Sequence, residues 1–345
     1  MRFLLPVGVV FVGLWVVWGL LSAVLFVILV AEFVNGWTDA PNAIATVVAT
    51  RVLRPRQAVC IAAILNIAGT FSGTAVAVSI GTGIVDPSII DLYTVAGAMT
   101  GIVVWSYMAW CRGIPTSESH ALIAGLAGAA LAAAGPEVLL WAGWKKVLIG
   151  LGISSIGGLS FGLILFKIVK RYCSDWSPYR SRKVFGWLQL CSAGFMAFSH
   201  GSNDGQKFIG VFSLALLLGG VYATFIVPWW VIFLCAGVMG VGTMLGGYRI
   251  IQRMTTMGSL HEPYTGFAAE MGAATAIEIV SHLGIPVSTT HTINTAIMGV
   301  GVARRYTAVR WNIVQEMLLA WIVTFPICAA IAFVFTYALR IIVGH

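Results

Sequence analysis

Six apolar runs long enough to cross a bilayer recur along this chain, near 7–33, 57–80, 92–111, 147–166, 223–248 and 312–339. About 20 residues of helix, at ~1.5 Å per residue, match the ~30 Å hydrocarbon core. In lipid every backbone N–H and C=O must be satisfied internally, which leaves helices or a closed barrel. Runs this long select helices. Charged residues are only 9% of the 345 and hydrophobic ones 59%, so there is too little polar surface to coat a water-soluble body. Mean hydropathy is +0.94. The fold class is an all-α polytopic membrane protein. The run near 4–31 is read as its first membrane segment, because it is too long for the apolar core of a signal peptide.

Lys and Arg number 20 against 12 Asp and Glu. In a membrane protein that surplus belongs to cytoplasmic loops, and no basic stretch interleaved with aromatics points to nucleic acid. Six cysteines without a Cys-x-x-Cys pair imply neither a disulfide framework nor a zinc site.

Shorter apolar runs near 118–134, 184–199, 207–221, 265–281 and 288–303 adjoin Gly, Pro, Asn and Ser/Thr clusters, the signature of broken helices or re-entrant hairpins. With them the chain holds about ten to twelve membrane segments. It also repeats. Asp91-Leu-Tyr-Thr94 aligns with Glu262-Pro-Tyr-Thr265, and the same offset of 171 residues (262 − 91) lays Gly113-Ile-Pro-Thr-Ser-Glu-Ser-His120 on Gly284-Ile-Pro-Val-Ser-Thr-Thr-His291. Phe33, Gly36 and Asp39 meet Phe198, Gly201 and Asp204 at an offset of 165 (204 − 39). The division is 1–166 as the first repeat, 167–183 as a basic cytoplasmic loop and 184–345 as the second repeat. Basic loops of one half (Arg51, Arg54, Arg56; Arg304, Arg305) match uncharged stretches of the other, so equivalent loops lie on opposite sides of the membrane. That is an inverted-topology repeat, with both termini outside; Lys145 and Lys146, on the outer side in this scheme, run against it.

Two pairs of polar clusters carry the chemistry. Asn35-Gly-Trp-Thr-Asp39-Ala-Pro-Asn42 stands against His200-Gly-Ser-Asn203-Asp204-Gly-Gln-Lys207. Carboxylates deep in a membrane are costly and so are paired, hydrated or ion-bound. With amide oxygens and unwound carbonyls, Asp39, Asn42, Asn203 and Asp204 form a cation site, and Asp39 and Asp204 are the Na+ candidates; the alternative is that they cap helices at the membrane surface. The second pair, Pro115-Thr116-Ser117-Glu118-Ser119-His120 and Pro286-Val-Ser288-Thr289-Thr290-His291, opens two apolar helices with proline and hydroxyls. Free N–H groups and the positive dipole end make such starts anion sites; plain N-capping is the alternative. Thr116, Ser117, Ser119, Ser288, Thr289, Thr290 and Lys207 are the substrate-binding candidates. Glu118 joins the cation set, and His120 and His291 either lock the hairpins or carry protons.

These motifs resemble those of the inorganic phosphate transporter (PiT) family, which carries a Gly-x-Asn-Asp-x-x-Asn and a Pro-x-Ser-x-x-His type signature in each half. The resemblance covers most of the chain and is closest to the shorter bacterial branch. It implies inorganic phosphate as substrate, a co-transported Na+ or H+ and no other cofactor, a plasma (inner) membrane location and a homodimer. Thr38 stands where Asn is usual, Lys207 replaces the final Asn of the second signature, and Glu118 is an unusual acidic member. Lys207 therefore reads as a fixed charge in place of a cation ligand, with Glu118 as its partner or as a proton carrier, or else as a side chain that snorkels to the interface. The expected function is uptake by alternating-access symport. A sulfate or other oxyanion permease is the close rival; a membrane hydrolase using Ser117/His120 and a passive anion channel are the remote ones.

Overall fold

The computed structural model describes residues 7–257, 260 and 262–344, with side chains from Trp18 onward. Helices α1 (Val7–Ala49), α2 (Pro55–Thr70), α3 (Ala75–Gly83), α4 (Leu92–Cys111), α5 (Glu118–Ala134) and α6 (Trp141–Cys173) form the first series. The second is α7 (Pro178–His200), a π-helical turn (Gly201–Gly205) leading into α8 (Gln206–Leu218), then α9 (Trp229–Leu245), α10 (Tyr248–Met257), α11 (Pro263–His282), α12 (Thr289–Arg304) and α13 (Trp311–Val343). Local chemistry sets many of the starts. Pro55, Pro178 and Pro263 open their helices, where the missing N–H costs nothing. Asp91 caps α4 by accepting from the Thr94 N–H at 2.9 Å.

Among the described residues, four helices are long and apolar enough to cross a membrane, six if each of two pairs bent by 70° (α2 with α3, α9 with α10) counts as one span. Ile156 on α6 and Leu319, Ile322 and Val334 on α13 are each more than 60% exposed, as suits helices of a membrane protein.

The two series correspond element by element, and their packing is reciprocal. Helix α5 lies on α13 as α12 lies on α6; α1 crosses α9 as α7 crosses α2; α4 packs on α1 as α11 packs on α7. Glycine permits the closest crossings. Gly36 meets the Met239 backbone while Gly201 meets that of Asn66, and Gly128 meets Ala329 while Gly299 meets Leu159. At each, a Cβ would strike backbone atoms.

Two expectations change. The stretch 167–183 is not an extended loop: α6 runs to Cys173 and α7 begins at Pro178, leaving only 174–177 outside helices. Lys170 and Arg171 fall in the last turn of α6, where positive charge complements the helix dipole. The Gly36–Asn42 cluster does not break α1, which stays helical through Pro41. The ring of Pro41 instead meets the glycine turn between α9 and α10, where Gly247 seats against Trp37 and Pro41; a proline frees the carbonyl four residues before it. The expected outside position of the termini falls on 1–6 and 345, outside the described residues.

The glycine crossings yield a stability test. Gly128→Val and Gly299→Val should each destabilise the protein by about 1–3 kcal/mol or more through overpacking. Gly152→Val, with nothing within 4 Å of its Cβ position, should not. Thermal unfolding in detergent measures it, and equal melting of all three would show that the crossings are loose.

Candidate substrate and cation site

The site is built where two helical hairpins end. Helices α4 and α11 close in the same way: Gly113 (φ +65°) and Gly284 (φ +66°) take the left-handed conformation that glycine adopts freely. Ile114 N–H donates to Ala109 C=O at 3.1 Å and Ile285 N–H to Val280 C=O at 3.0 Å, closing a Schellman motif at each helix end. Each chain then turns through its proline and starts α5 or α12. Ser117 and Ser288 cap these helices, accepting from the His120 N–H at 3.3 Å and the His291 N–H at 3.1 Å. The capping reading therefore holds for both serines, yet each hydroxyl keeps its hydrogen to donate.

The two tips meet. Ser119 Oγ donates to Val287 C=O at 2.8 Å, and the His120 and His291 rings meet edge to face at 4.4 Å between centroids. His291 stacks on Trp321 at 3.6 Å, and Trp321 Nε1 in turn donates to Pro115 C=O at 3.3 Å. Both histidines pack against α13, His120 on Phe325 and His291 on Trp321. His120 Nδ1 and both nitrogens of His291 have no hydrogen-bond partner.

The acidic clusters of α1 and the π-helical turn face these tips. Asn42 Nδ2 donates to Thr290 Oγ1 at 2.9 Å and lies 3.4 Å from Thr289 Oγ1, and Thr290 Oγ1 donates to Asp39 Oδ1 at 3.3 Å. In the other half Thr289 Oγ1 donates to Asp204 Oδ2 at 3.1 Å, and Asn203 bridges Ser281 Oγ (2.8 Å) and the Val287 N–H (3.3 Å). Thr116 borders a cavity of about 400 Å³ beside the first tip, lined also by Trp105, Ile114, Arg253 and Glu316. Asp39, Asn42, Asn203, Asp204, Ser281, Thr289 and Thr290 are buried, as is Thr116, so the cluster is sealed.

Lys207 is buried and does not snorkel. Its Nζ donates to Asp204 Oδ1 at 2.6 Å, to Val287 C=O at 2.8 Å and to Ser119 Oγ. Three oxygens from three elements converge on the ammonium as they would on a bound cation. Glu118 is not its partner: Thr38 Oγ1 donates to Glu118 Oε1 at 2.8 Å and Ser106 Oγ to Oε2 at 2.7 Å. Asp204 sits closer to Lys207 because the two are three residues apart on one helical path.

Asp39, His200 and Asp204 each bring one ligand atom to within 4.8 Å of the others. Asp39 Oδ2 has no hydrogen-bond partner, which suits a cation, and carboxylate and hydroxyl oxygens suit a hard one such as Na+. His200 Nδ1 lies 3.2 Å from Asn66 Oδ1, which holds the ring beside the carboxylates.

Two buried glutamates went unnoticed in the sequence. Glu270 on α11 accepts from Thr46 Oγ1 (2.5 Å), Gln189 Nε2 (3.1 Å) and Ser192 Oγ. Glu32 on α1 accepts from Asn35 Nδ2 at 3.1 Å. The signal was available, since Glu32 is the sole acidic residue of its apolar run and Glu270 shares its own only with Glu278, and an intramembrane ionisable group marks function by default.

A profile of the phosphate transporter family matches residues 35–182 and 173–332. A probable low-affinity inorganic phosphate transporter of Rhizobium meliloti is 42% identical over 315 residues, covering 91% of this chain and 94% of that protein. A Bacillus subtilis protein of the same description is 37% identical over 328 residues, covering 94% and 98%. A solved structure described as the sodium-dependent phosphate transporter superposes with a TM-score of 0.86 at 21% identity, over 94% of this chain and all of that one. The family and these relatives are transporters rather than enzymes, so the hydrolase reading falls. With four long apolar helices, a repeated architecture and both signature pairs gathered at one buried site, this chain belongs to the phosphate transporter family.

Proposed function

We propose that the chain takes up inorganic phosphate by symport with a cation, through alternating access between two oppositely oriented halves. One observation carries the reading: three carboxylates, Asp39, Glu118 and Asp204, are buried in one site with a single buried ammonium, Lys207, which bonds Asp204 alone among them. Ionised together they leave the site at two negative charges before any anion arrives. Phosphate adds one or two more, and moving it inward costs about 2.3 kcal/mol per charge per 100 mV. Cations that load with the anion remove both penalties. Two helix starts with free N–H groups and the hydroxyls of Ser117, Ser119, Ser288, Thr289 and Thr290 would receive the phosphate oxygens. Asp39, Asn42, Asn203, Asp204 and Glu118 would serve the cations.

The inverted orientation rests on the loop charges and on the reciprocal packing of the two series, and the ten to twelve segments count the hairpin helices as membrane-embedded. Assembly as a homodimer rests on the resemblance alone. Labelled phosphate uptake into proteoliposomes, under imposed pH or Na+ gradients and with sulfate as competitor, tests the whole reading. Accumulation without any gradient dependence would overturn it.

The serines separate capping from binding. Ser→Ala at 117 or 288 loses both roles, whereas Ser→Gly keeps most of the cap energy. If the hydroxyls bind substrate, both kinds of variant should weaken phosphate affinity about tenfold or more, the worth of one hydrogen bond to a charged ligand at ~1.5–3 kcal/mol. Unchanged transport kinetics in the double Ser→Gly variant would assign these residues to capping only.

Asp39→Asn should abolish the cation dependence of uptake or abolish uptake itself. Lys207 gives a finer reading, since its ammonium fills a three-oxygen cage that an ion would otherwise occupy. Lys207→Asn should make uptake more dependent on Na+, and Lys207→Ala should simply weaken phosphate binding. Comparing uptake in Na+ and pH gradients decides this; a Na+ dependence unchanged by Lys207→Asn would remove the tethered-cation role.

A further inference from the structure

Three glutamates lie fully buried in the helical core, and one differs from the others. Both oxygens of Glu118 accept hydroxyl donors, and both oxygens of Glu270 accept from hydroxyl or amide groups. Glu32 has a single donor. Its Oε2 accepts from Asn35 Nδ2 at 3.1 Å, while Oε1 has no partner, and neither has the Asn35 carbonyl oxygen. Glu32 is 0% exposed and Asn35 1%. The charged groups near enough to act on it are Asp204 and Lys207, and it acts in turn on the Cys235 thiol of α9. Lys207 is already engaged by Asp204, Ser119 and Val287. Among the described residues no cation forms an ion pair with Glu32.

A lone carboxylate with one acceptor unfilled is an expensive object in a membrane interior. One added proton changes that. Carried on Glu32 Oε1, it can be donated to Asn35 Oδ1 and close an acid–amide ring whose other bond, Nδ2 to Oε2, is already made. Both orphaned oxygens are then satisfied at once. A hard metal ion fits less well, because it gathers about six oxygens and the pair offers only two free ones. Helix α1 is continuous here, so its carbonyls are engaged within the helix.

We propose that the Glu32–Asn35 pair is a proton-binding site that carries the coupling proton of the transport cycle. The inference rests on the symport reading for its role in the cycle, but not for the binding of the proton. Glu32 lies two helical turns before Asp39 on the same helix. Loading the proton there neutralises a charge that repels both Asp204 and an arriving anion, so proton and phosphate favour each other's binding. The proton comes from the water on one side and leaves to the water on the other, with no further reactant.

The test compares wild type, Glu32→Gln and Glu32→Asp in proteoliposomes, in two modes. One is phosphate accumulation driven by a pH gradient; the other is exchange of labelled for unlabelled phosphate at equal pH. The Gln amide imitates the protonated pair, since its NH2 can donate to Asn35 Oδ1, so Glu32→Gln should keep exchange and lose gradient-driven accumulation. Glu32→Asp should keep both, with a displaced pH profile. A Glu32→Gln protein that accumulates phosphate in response to pH as wild type does overturns the proposal. A folded Glu32→Gln protein that loses exchange as well also overturns it, by showing a general structural need. Infrared difference spectra across a pH titration in detergent supply a readout free of phosphate: a carboxylic acid carbonyl band should titrate in wild type and be missing in Glu32→Gln. Identical bands in the two overturn the proposal, whether or not Glu32→Gln transports. If wild type exchanges no phosphate but the band behaves as expected, the phosphate reading fails while the proton site stands.

Discussion

The structure depends on holding charge where there is no water to solvate it. Asp39, Glu118 and Asp204 are buried around Lys207, in surroundings where an unpaired ion costs several kcal/mol. Each is therefore supplied with donors from another element: Thr290 for Asp39, Thr38 and Ser106 for Glu118, Thr289 and Lys207 for Asp204. These bonds join α1 to the second hairpin, α1 and α4 to α5, and the π-helical turn to α12. The site is a junction as much as a pocket. A change in its charge, by an arriving anion or a lost cation, acts on every element it joins.

The two halves of the site match in position and differ in charge. Asn42 donates to Thr290 in one half; the equivalent Lys207 donates to Ser119 in the other. The contact is the same, yet one partner is neutral and the other charged. Glu118 occupies the place that Thr289 holds across the pseudo-symmetry, so the first hairpin carries an acid where the second carries a hydroxyl. Two equal halves would make a site of equal charge on both sides. Here one side is tethered to a fixed ammonium and the other keeps an oxygen of Asp39 open.

The close crossings surround the site with smooth helix contacts. At Gly36, Gly201, Gly128 and Gly299 the helices touch through backbone, with no side chain interlocked between them. Such smooth interfaces suit membrane helices, which associate by close packing rather than by a hydrophobic drive. The hairpin tips, in contrast, are held by the stacked His291 and Trp321 and by the Trp321 bond to Pro115.

The sequence by itself determined the class and the two signature pairs. Apolar runs of membrane length admit only a helical solution, and the matched offsets at 39/204, 117/288 and 120/291 are legible in the residues alone. It also marked the hairpin ends, because the Gly-Ile-Pro and Ser-x-x-His patterns encode a left-handed stop and an N-cap in local chemistry alone. Only the tertiary structure decided the partners. The pairing of Lys207 with Asp204 rather than Glu118, the placing of Ser106 beside Glu118, and the gathering of Thr46, Gln189 and Ser192 around Glu270 join residues far apart in the chain or chosen by helix rotation. The continuity of α1 through Pro41 was also a tertiary outcome, since a proline in a helix is tolerated where neighbouring chain packs against the break. A sequence shows which groups must be buried; which oxygen meets which proton is set by how the helices cross.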